Sequence, residues 1–465
     1  MTAGASGNPS GNGHDFHPSI LREYDIRGTV GQTLGEADAR ALGRAYATML
    51  WRNGGSRVSV AYDGRLTSPQ LEAALVEGLT SAGIDVLRCG LGPTPMLYYS
   101  VFEYETDGGI MVTGSHNPPD HNGFKMMLGQ DALYGSQIQE LGEIAASGDF
   151  ATGRGKAQHV DIREVYAKRL LKDFEGAALN VAWDPANGAT GAILSSVVDH
   201  LPGRQLILNE KVDGSFPSHH PDPTVEENLE QLKKAVLENG LDLGIGFDGD
   251  GDRIGVIDNL GNVVWGDQLL AILSPEVLAA EPGATIVADV KCSDILFDEI
   301  RRLGGQPVMW KTGHSLIKTK MKELKAPLAG EMSGHIFFKH RYYGIDDALY
   351  VALRLMNVIS NSGRNLSEIC ASLPHLINTP EIRFEVPEER KFNIVEEVKA
   401  QMVKAGAEIN EIDGVRVSTP DGWWLLRASN TQTVLVARCE AKSEDGLERL
   451  KDQLSSALKT TGVEF

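Results

Sequence analysis

The sequence predicts an α/β protein in which three similar α/β domains and a C-terminal α+β domain surround a central cleft. Strand-like and helix-like segments alternate in three successive units, and each unit ends in a strand followed by a polar loop. After about residue 373 the pattern becomes strand-rich. The length of 465 residues is too great for one hydrophobic core and favours three or four domains.

The first domain is assigned to residues 14–160. Residues 57–63 and 84–88 are strand-like and residues 69–82 and 95–104 are helical in pattern. A further strand ends at Thr113 and leads into a loop that carries Ser115. Residues 1–13 are rich in Gly, Ser and Asn and lack the basic and apolar regions of a signal peptide, which predicts a disordered tail and a cytoplasmic protein.

The second and third domains, residues 161–262 and 263–373, repeat this scheme. The second has strands at 180–183, near 206 and at 241–247, with helices after 187 and at 227–238. The third has helices after 266, after 293 and at 316–324, with strands at 284–288 and near 308 and a short strand before residue 330. Their last strands run into the polar loops 248–253 and 330–335, so the three loops are expected to face one cleft.

The fourth domain, residues 374–465, is predicted to be a separate α+β unit. Five strand-like segments are bracketed by two helices and lie at 381–386, 408–412, 415–418, 423–427 and 434–440. The loop 427–431, between the last two strands, is the fourth polar loop.

Composition excludes several classes of function. The net charge of −19 disfavours nonspecific binding to nucleic acid, which needs a basic surface. No apolar run is long enough to span a membrane. The four cysteines are scattered without a CxxC pair, which argues against a disulfide framework or a zinc site.

Ser115 is a candidate nucleophile. It follows the apolar run 110–112 and Gly114, which allows a sharp turn at the end of a strand, where open α/β sheets bind ligands. An ordinary surface turn is the alternative, because Gly, Ser, Asn and Pro also form turns that have no chemical role.

Asp248, Asp250 and Asp252 form a candidate site for Mg²⁺ or Ca²⁺. They occupy alternate positions with glycines between them, so the backbone can curl until the three carboxylates converge. Arg253 follows directly and could hold a phosphoryl oxygen beside the metal. The alternative is a solvated acidic turn, which the mutual repulsion of three carboxylates disfavours.

Two later loops have the residues needed to bind a sugar and a phosphate. Glu331, Ser333 and His335 alternate along an extended backbone, so they can face one side and contact sugar hydroxyls. Residues 427–431 provide a guanidinium, two hydroxyls and an amide without an acidic residue, which suits a phosphate. A structural loop and a polar hairpin turn are the respective alternatives.

With these four loops in order, TGSHNP, DGDGDR, GEMSGH and RASNT, the chain closely resembles the α-D-phosphohexomutase family and its bacterial phosphomannomutase/phosphoglucomutase group. The resemblance extends from about Leu21 to the C-terminus. It implies four domains around a cleft, with mixed sheets in the first three and a topology like that of the TATA-binding protein in the last.

The resemblance also implies roles for individual residues. Ser115 would carry the phosphate as phosphoserine and, with Asp248, Asp250 and Asp252, would bind Mg²⁺. The other catalytic residues would be His116, Lys125, Arg253, His314 and His335. Substrate would be bound by Tyr24, Arg27, Asn117, Lys291, Glu331, Ser333, Arg427, Ser429, Asn430 and Thr431.

The implied reaction moves a phosphoryl group between C1 and C6 of mannose and glucose phosphates, with a hexose 1,6-bisphosphate as intermediate and activator. Lys125, His116, His314 and His335 are the hypotheses for the general base. The expected partners are hexose phosphates, with no nucleic acid and no membrane, and the chain is expected to be a monomer or a weak homo-oligomer.

Two alternatives stay open. The first is a haloacid-dehalogenase-type phosphatase or mutase with Asp248 as nucleophile, although that motif normally has Thr or Val where this chain has Gly251. The second is a noncatalytic sugar-phosphate sensor, which would need neither Ser115 nor a three-carboxylate metal site.

Overall fold

The computed structural model describes residues 13–430 and 432–463. It contains four sheets, of seven, five, five and six strands, in chain order. The predicted disordered tail, residues 1–13, lies outside these ranges except for Gly13. Thr431, for which a role was predicted, also lies outside them. In the described part of the chain, none of the helices combines the length and apolar character required to cross a lipid bilayer.

The first sheet is mixed, in the order β1-β5-β4-β2-β3-β7, with β6 beside β5. Its strands are β1 Ile26–Thr29, β2 Arg57–Tyr62, β3 Asp85–Leu91, β4 Gly108–Val112, β5 His121–Leu128, β6 Asp131–Ala132 and β7 Ala157–His159. Its helices are α1 Glu36–Arg52, α2 Ser68–Ser81, α3 Thr94–Glu103 and α4 Ser136–Ser147, and a 3-10 turn covers Pro18–Ile20.

The second sheet has the order β12-β11-β10-β8-β9. The elements of this domain are α5 Arg163–Leu171, β8 Val181–Asp184, α6 Leu194–Val198, β9 Gln205–Ile207, α7 Glu230–Asn239, β10 Leu243–Phe247, β11 Ile254–Asp258 and β12 Val263–Val264. Short 3-10 turns, Ala189–Ala192 and Glu226–Leu229, precede α6 and α7. The helix predicted after Asn187 is therefore only a 3-10 turn and five α-helical residues.

The third sheet has the order β14-β13-β15-β16-β17. Its domain consists of α8 Gly266–Ala280, β13 Thr285–Asp289, α9 Asp294–Arg302, β14 Gln306–Trp310, α10 His314–Leu324, β15 Leu328–Gly330, β16 Ile336–Phe338, β17 Ile345–Asp346, α11 Ala348–Ser362 and α12 Leu366–Ala371.

These three sheets share one arrangement, as the sequence predicts. In each, a central strand (β2, β8 or β13) is parallel to a neighbour (β4, β10 or β15), and that neighbour pairs antiparallel with the next strand of the chain (β5, β11 or β16). The three polar loops are the connections β4–β5, β10–β11 and β15–β16. They are therefore equivalent loops at equivalent edges of three sheets.

The sequence analysis missed the antiparallel strands that follow these loops. It predicted only a loop after Thr113, whereas β5 begins at His121 and places Lys125 on a buried strand. The polar start of β5 hides its strand character, and its partners β1 and β4 lie far away in sequence or across the loop.

The fourth sheet is antiparallel, in the order β18-β23-β22-β21-β20, with β19 also on β23. Its domain contains β18 Ile377–Asn378, β19 Ile382–Glu385, α13 Lys391–Lys404, β20 Glu408–Asn410, β21 Val415–Thr419, β22 Gly422–Ala428, β23 Val434–Ala441 and α14 Glu444–Lys459. The predicted α+β domain is present, and the fourth polar loop joins β22 to β23.

The hydrophobic cores separate the fourth domain from the other three. One continuous core contains buried side chains of the first three domains, from Ala61 to Leu366, and each of these domains also has a separate cluster, the largest in the first domain. The fourth domain has a core of its own between its sheet and α13 and α14. A small cluster of Val290, Trp423 and Leu425 joins it to the third domain.

Candidate active site

The four polar loops meet at one cavity of about 620 Å³. Residues from all four domains line it, so the cleft predicted from the sequence is present. The predicted site residues among its lining are Tyr24, Arg27, Ser115, His116, Asn117, Lys125, Arg253, Lys291, His314, Glu331, Ser333, His335, Arg427, Ser429 and Asn430.

Ser115 lies directly after β4 in a left-handed backbone conformation, with φ +49°. Few non-glycine residues adopt this conformation, and it turns the side chain away from the sheet. Ser115 Oγ donates a hydrogen bond to Asp248 Oδ2 at 2.9 Å and lies 3.2 Å from His116 Nδ1. The first and second polar loops are therefore in direct contact through the candidate nucleophile.

Arg65, which the sequence analysis did not single out, holds the Ser115 loop. Its buried guanidinium donates to four backbone carbonyls of that loop, those of Ser115, Asn117, Pro118 and His121, at 2.5–2.9 Å. A side chain at Gly114 could not fit, because a Cβ there would lie 2.4 Å from Arg65 Nε. Glycine is thus required for this close approach.

Asp63 anchors the same loop from the end of the neighbouring strand. Its Oδ2 accepts hydrogen bonds from Gly114 N at 3.0 Å and from Thr113 Oγ1 at 2.8 Å. In the third domain Asp289 has the equivalent position and accepts from Met332 N at 3.2 Å. The sequence carries a signal for both residues, since each is an aspartate at the end of an apolar strand.

The three aspartates of the second loop converge as predicted. Asp248 Oδ1 accepts hydrogen bonds from the backbone N–H groups of residues 251, 252 and 253. Burial raises the pKa of Asp248 well above its ordinary value, and the charges of Asp250 and Asp252 raise it further. The cluster therefore has an electrostatic cost that a cation would relieve.

These carboxylates fit a hard divalent cation. Asp248, Asp250 and Asp252 each place one oxygen within 4.8 Å of the others. Oδ1 of Asp250 and Oδ1 of Asp252 are buried and have no hydrogen-bond partner within the described part of the chain. Anionic oxygens of this kind are the ligands that Mg²⁺ prefers.

Lys125 lies against the same cluster. Its ammonium is 2.8 Å from Asp250 Oδ2 and 2.5 Å from Asp252 Oδ2. Burial by itself lowers the pKa of Lys125, but these two carboxylates raise it well above its ordinary value. The strand β5 thus brings a protonated amine to the base of the cleft.

Three histidines from different loops surround the cleft. Burial lowers the pKa of His116 well below its ordinary value, with a further contribution from Arg253. Burial and Lys318 do the same for His314. The rings of His314 and His335 are stacked with their centroids 5.6 Å apart.

The third polar loop, residues 330–335, has its predicted side chains at the cavity. Glu331 accepts hydrogen bonds from Gly313 N at 2.5 Å and from Ser333 Oγ at 3.1 Å. The carboxylate and the hydroxyl are thus oriented by contacts within the third domain. His335, two residues further, lines the same cavity.

The fourth loop contains no acidic residue, but carboxylates from elsewhere pair with the cations beside it. Arg427 Nε donates to Asp413 Oδ2 at 2.9 Å, and Lys291 Nζ lies 2.6 Å from Glu381 Oε1. No local pattern in the sequence marks Asp413 or Glu381. Asn430 Nδ2 donates to Tyr24 OH at 2.6 Å, which joins the fourth domain to the first.

Tyr24, Arg27 and Asn117 form the wall contributed by the first domain. The Tyr24 hydroxyl donates to the Thr312 carbonyl at 2.9 Å. Arg27 donates to Asn117 Oδ1 at 2.9 Å and forms an ion pair with Asp25. These contacts place a guanidinium next to the Ser115 loop.

Four family models match the chain in order. They describe domains I, II and III and the C-terminal domain of phosphoglucomutase/phosphomannomutase, and they match residues 18–152, 162–261, 265–377 and 381–457. The matched ranges correspond to the four domains of the structure.

Curated relatives and a solved structure agree with these matches. Phosphomannomutase/phosphoglucomutase of Pseudomonas aeruginosa is 45% identical over 442 residues, which are 95% of this chain and 96% of the relative. Phosphoglucomutase of Neisseria gonorrhoeae is 42% identical over 446 residues, which are 95% of this chain and 97% of the relative.

A phosphoglucomutase/phosphomannomutase family protein of Burkholderia thailandensis has a crystal structure that superposes with a TM-score of 0.91 at 40% identity, over 97% of this chain and 100% of that one. The four matched domains and the relatives that share nearly the whole length lead to one conclusion: this chain belongs to the phosphoglucomutase/phosphomannomutase family, and is an α-D-phosphohexomutase.

Proposed function

We propose that this chain interconverts the 1-phosphates and 6-phosphates of mannose and glucose through a phosphorylated Ser115 and a hexose 1,6-bisphosphate. The observation that carries the proposal is the contact between Ser115 Oγ and Asp248 Oδ2 at 2.9 Å, in a cleft that Arg427, Ser429 and Asn430 of the fourth loop also line. A phosphate carrier and a site for the second phosphate therefore face the same cavity.

Mg²⁺ is the proposed cofactor, held by Asp248, Asp250, Asp252 and an oxygen at Ser115. When bound, it would neutralise charge on the transferring phosphoryl group. Arg253 and Lys291 would place positive charge at other sides of the cleft, because phosphoserine carries close to two negative charges.

The sugar and its nonreacting phosphate would be held by the third and fourth domains. Glu331 and Ser333 would accept and donate hydrogen bonds at sugar hydroxyls. Arg427, Ser429 and Asn430 would bind the phosphate, and Thr431 is proposed from its place in the loop alone. These two loops would receive the ligand in either of two orientations, as the bisphosphate turns over between the two transfers.

Deprotonation of the accepting hydroxyl requires a general base, for which Lys125, His116, His314 and His335 stay the hypotheses. Replacing each and following a single phosphoryl transfer from the phosphoenzyme separates them. A variant with an unimpaired transfer step loses its candidacy.

Both sugars are expected to react. The names of the relatives include mannose and glucose mutases, and the two sugars differ only at C2. Measuring kcat/KM for the two 1-phosphates tests the dual specificity, and a ratio above about 10⁴ would mean that the site reads the C2 hydroxyl.

Phosphopeptide mapping tests the proposal as a whole. Incubation with labelled glucose 1,6-bisphosphate should give acid-stable label in the peptide that contains Ser115, and Ser115→Ala should remove both label and mutase activity. Ser147→Ala, at the end of α4 and away from the cavity, is the matched control. Acid-labile label on the peptide of Asp248 would support the dehalogenase-type mechanism, and absence of turnover would support a sensor. We also propose a cytoplasmic location.

A further inference from the structure

A buried carboxylate that the sequence analysis did not identify lies behind His335. Asp346, on β17, is fully buried, and its strand pairs with β16, which begins directly after His335. Asp346 Oδ2 is 3.0 Å from His335 Nδ1, and Asp346 Oδ1 is 2.7 Å from the Lys318 ammonium. The carboxylate therefore lies between an imidazole that lines the cleft and a lysine on α10.

The other ring nitrogen of His335 identifies its tautomer. Arg253 Nε donates a hydrogen bond to His335 Nε2 at 2.9 Å. A guanidinium has no acceptor, so Nε2 must present a lone pair. The imidazole then has its only N–H at Nδ1, the nitrogen that faces Asp346.

A second metal site is the competing explanation of this cluster. Asp252, His335 and Asp346 place one ligand atom each within 4.8 Å of one another. Ligation through Nδ1 would require a lone pair there, however, and the bond from Arg253 assigns the lone pair to Nε2. The Lys318 ammonium also supplies a cation to Asp346 already. His335 Nδ1 is 3.0 Å from Asp346 Oδ2 and 3.6 Å from Asp252 Oδ1, at angles outside the hydrogen-bond range within the described residues, so the nearer carboxylate acts on the ring through its charge. An imidazole–carboxylate pair accounts for the geometry better than a metal does.

We propose that Asp346 is a positioning residue that keeps His335 in the Nδ1–H tautomer, so that the Nε2 lone pair is directed to the substrate. This inference rests on the proposed phosphoryl transfer. As the hexose hydroxyl oxygen bonds to phosphorus, its proton passes to Nε2, and the bond from phosphorus to Ser115 Oγ breaks with its electron pair on Oγ. The hydroxyl would replace the Arg253 N–H as the donor to Nε2.

Asp346→Asn is the variant that tests this role. Lys318 can only donate hydrogen bonds, so it should retain the amide oxygen, and the amide NH₂ would then face His335 Nδ1. Two donors would oppose each other unless the ring changes tautomer. We expect kcat to fall by about 10²- to 10⁴-fold with little change in KM, as when an aspartate that orients a catalytic histidine is replaced.

The decisive readout is the ¹⁵N NMR spectrum of histidine-labelled protein with saturating Mg²⁺. The His335 signals are assigned by their loss in His335→Gln. In the unmodified protein they should show protonated Nδ1 and unprotonated Nε2, and in Asp346→Asn this strong preference for one tautomer should be lost.

Asp347→Asn is the matched control, because Asp347 is also buried but accepts hydrogen bonds from Tyr166, Tyr342 and the N–H of Tyr350. It should leave the His335 signals unchanged. An Nε2–H tautomer in the unmodified protein overturns the proposal even if Asp346→Asn does not fold. A second divalent ion per chain that is lost in Asp346→Asn also overturns it. Failure of the phosphoserine mechanism would appear separately, as activity retained in Ser115→Ala.

Discussion

At the scale of single residues, Arg65 illustrates how one side chain can determine the shape of a reactive loop. Arg65→Lys replaces a planar group that reaches four carbonyls with an ammonium that cannot span them. We expect the free energy of unfolding to fall by about 2–4 kcal/mol and hydrogen exchange in residues 113–121 to accelerate. Arg52→Lys is the control. Arg52 forms an exposed ion pair with Asp149, so this substitution should change the free energy of unfolding little.

Divalent-ion binding can be tested at one carboxylate. Asp252→Asn removes a charge from the cluster but keeps its size, so the affinity for Mn²⁺, measured by electron paramagnetic resonance, should fall at least about tenfold. Asp258→Asn is a matched control on the same hairpin, because Asp258 is buried but accepts hydrogen bonds within its own turn. Equal loss of affinity in both variants would refute the proposed site.

At the scale of the elements, the aspartate that ends each central strand is repeated but not used in the same way. Asp63 and Asp289 hold the neighbouring functional loop, whereas Asp184 contacts Asn209 at 3.0 Å and His219 at 2.9 Å. Asp63→Asn should therefore loosen the Ser115 loop and lower kcat. Asp184→Asn should leave hydrogen exchange in that loop unaffected. Faster exchange in Asp184→Asn than in Asp63→Asn would contradict this interpretation.

The link between the third and fourth domains should depend on pH. Partial burial raises the pKa of the Glu381 carboxyl, but Lys291 and then Arg383 outweigh this effect and lower it to about 2. A lowered folded-state pKa stabilises the protein above the ordinary value near 4.5, and this contribution is lost as the pH falls towards 2.

Glu381→Gln should thus destabilise the protein by on the order of 2–3 kcal/mol at pH 7, a difference that shrinks below about pH 4. Urea unfolding at several pH values measures it. Glu385→Gln, at the exposed end of β19, the strand that begins directly after Glu381, is the control. A pH-independent difference would show that Glu381 acts by packing and not by charge.

At the scale of the whole molecule, the division of the cores predicts two unfolding transitions. The first three domains have clusters of their own but also share one continuous core, whereas the core of the fourth domain meets the third only at the small cluster of Val290, Trp423 and Leu425. Calorimetry should resolve a separate transition for the fourth domain. Arg416→Ala should weaken the docking, because Arg416 donates to the Val290 and Cys292 carbonyls and packs on Trp423 at 3.6 Å. A single transition unaffected by this variant would disprove the division.

The local sequence pattern was sufficient to predict the main helices and strands and the four polar loops. Apolar strands followed by glycine and polar residues mark Ser115 and the Asp248 cluster directly. The strand β5 begins with polar residues and has a distant partner, β1, so local sequence does not mark it. The strands β11 and β16 pair in hairpins with the strands directly before them, and the polar loops that join each pair drew attention away from them. The pattern therefore did not predict the buried strand that brings Lys125 to the carboxylates.

The sequence by itself determined the division into three α/β units and one α+β unit, the four polar loops and the family, because these depend on periodicity and on short motifs. Only the tertiary structure decided which groups meet. The guanidinium of Arg65, the carboxylates of Asp413 and Glu381 and the pair of His335 with Asp346 join residues that are 11 to 90 positions apart. Such contacts depend on how sheets and domains pack, and no local pattern encodes that packing.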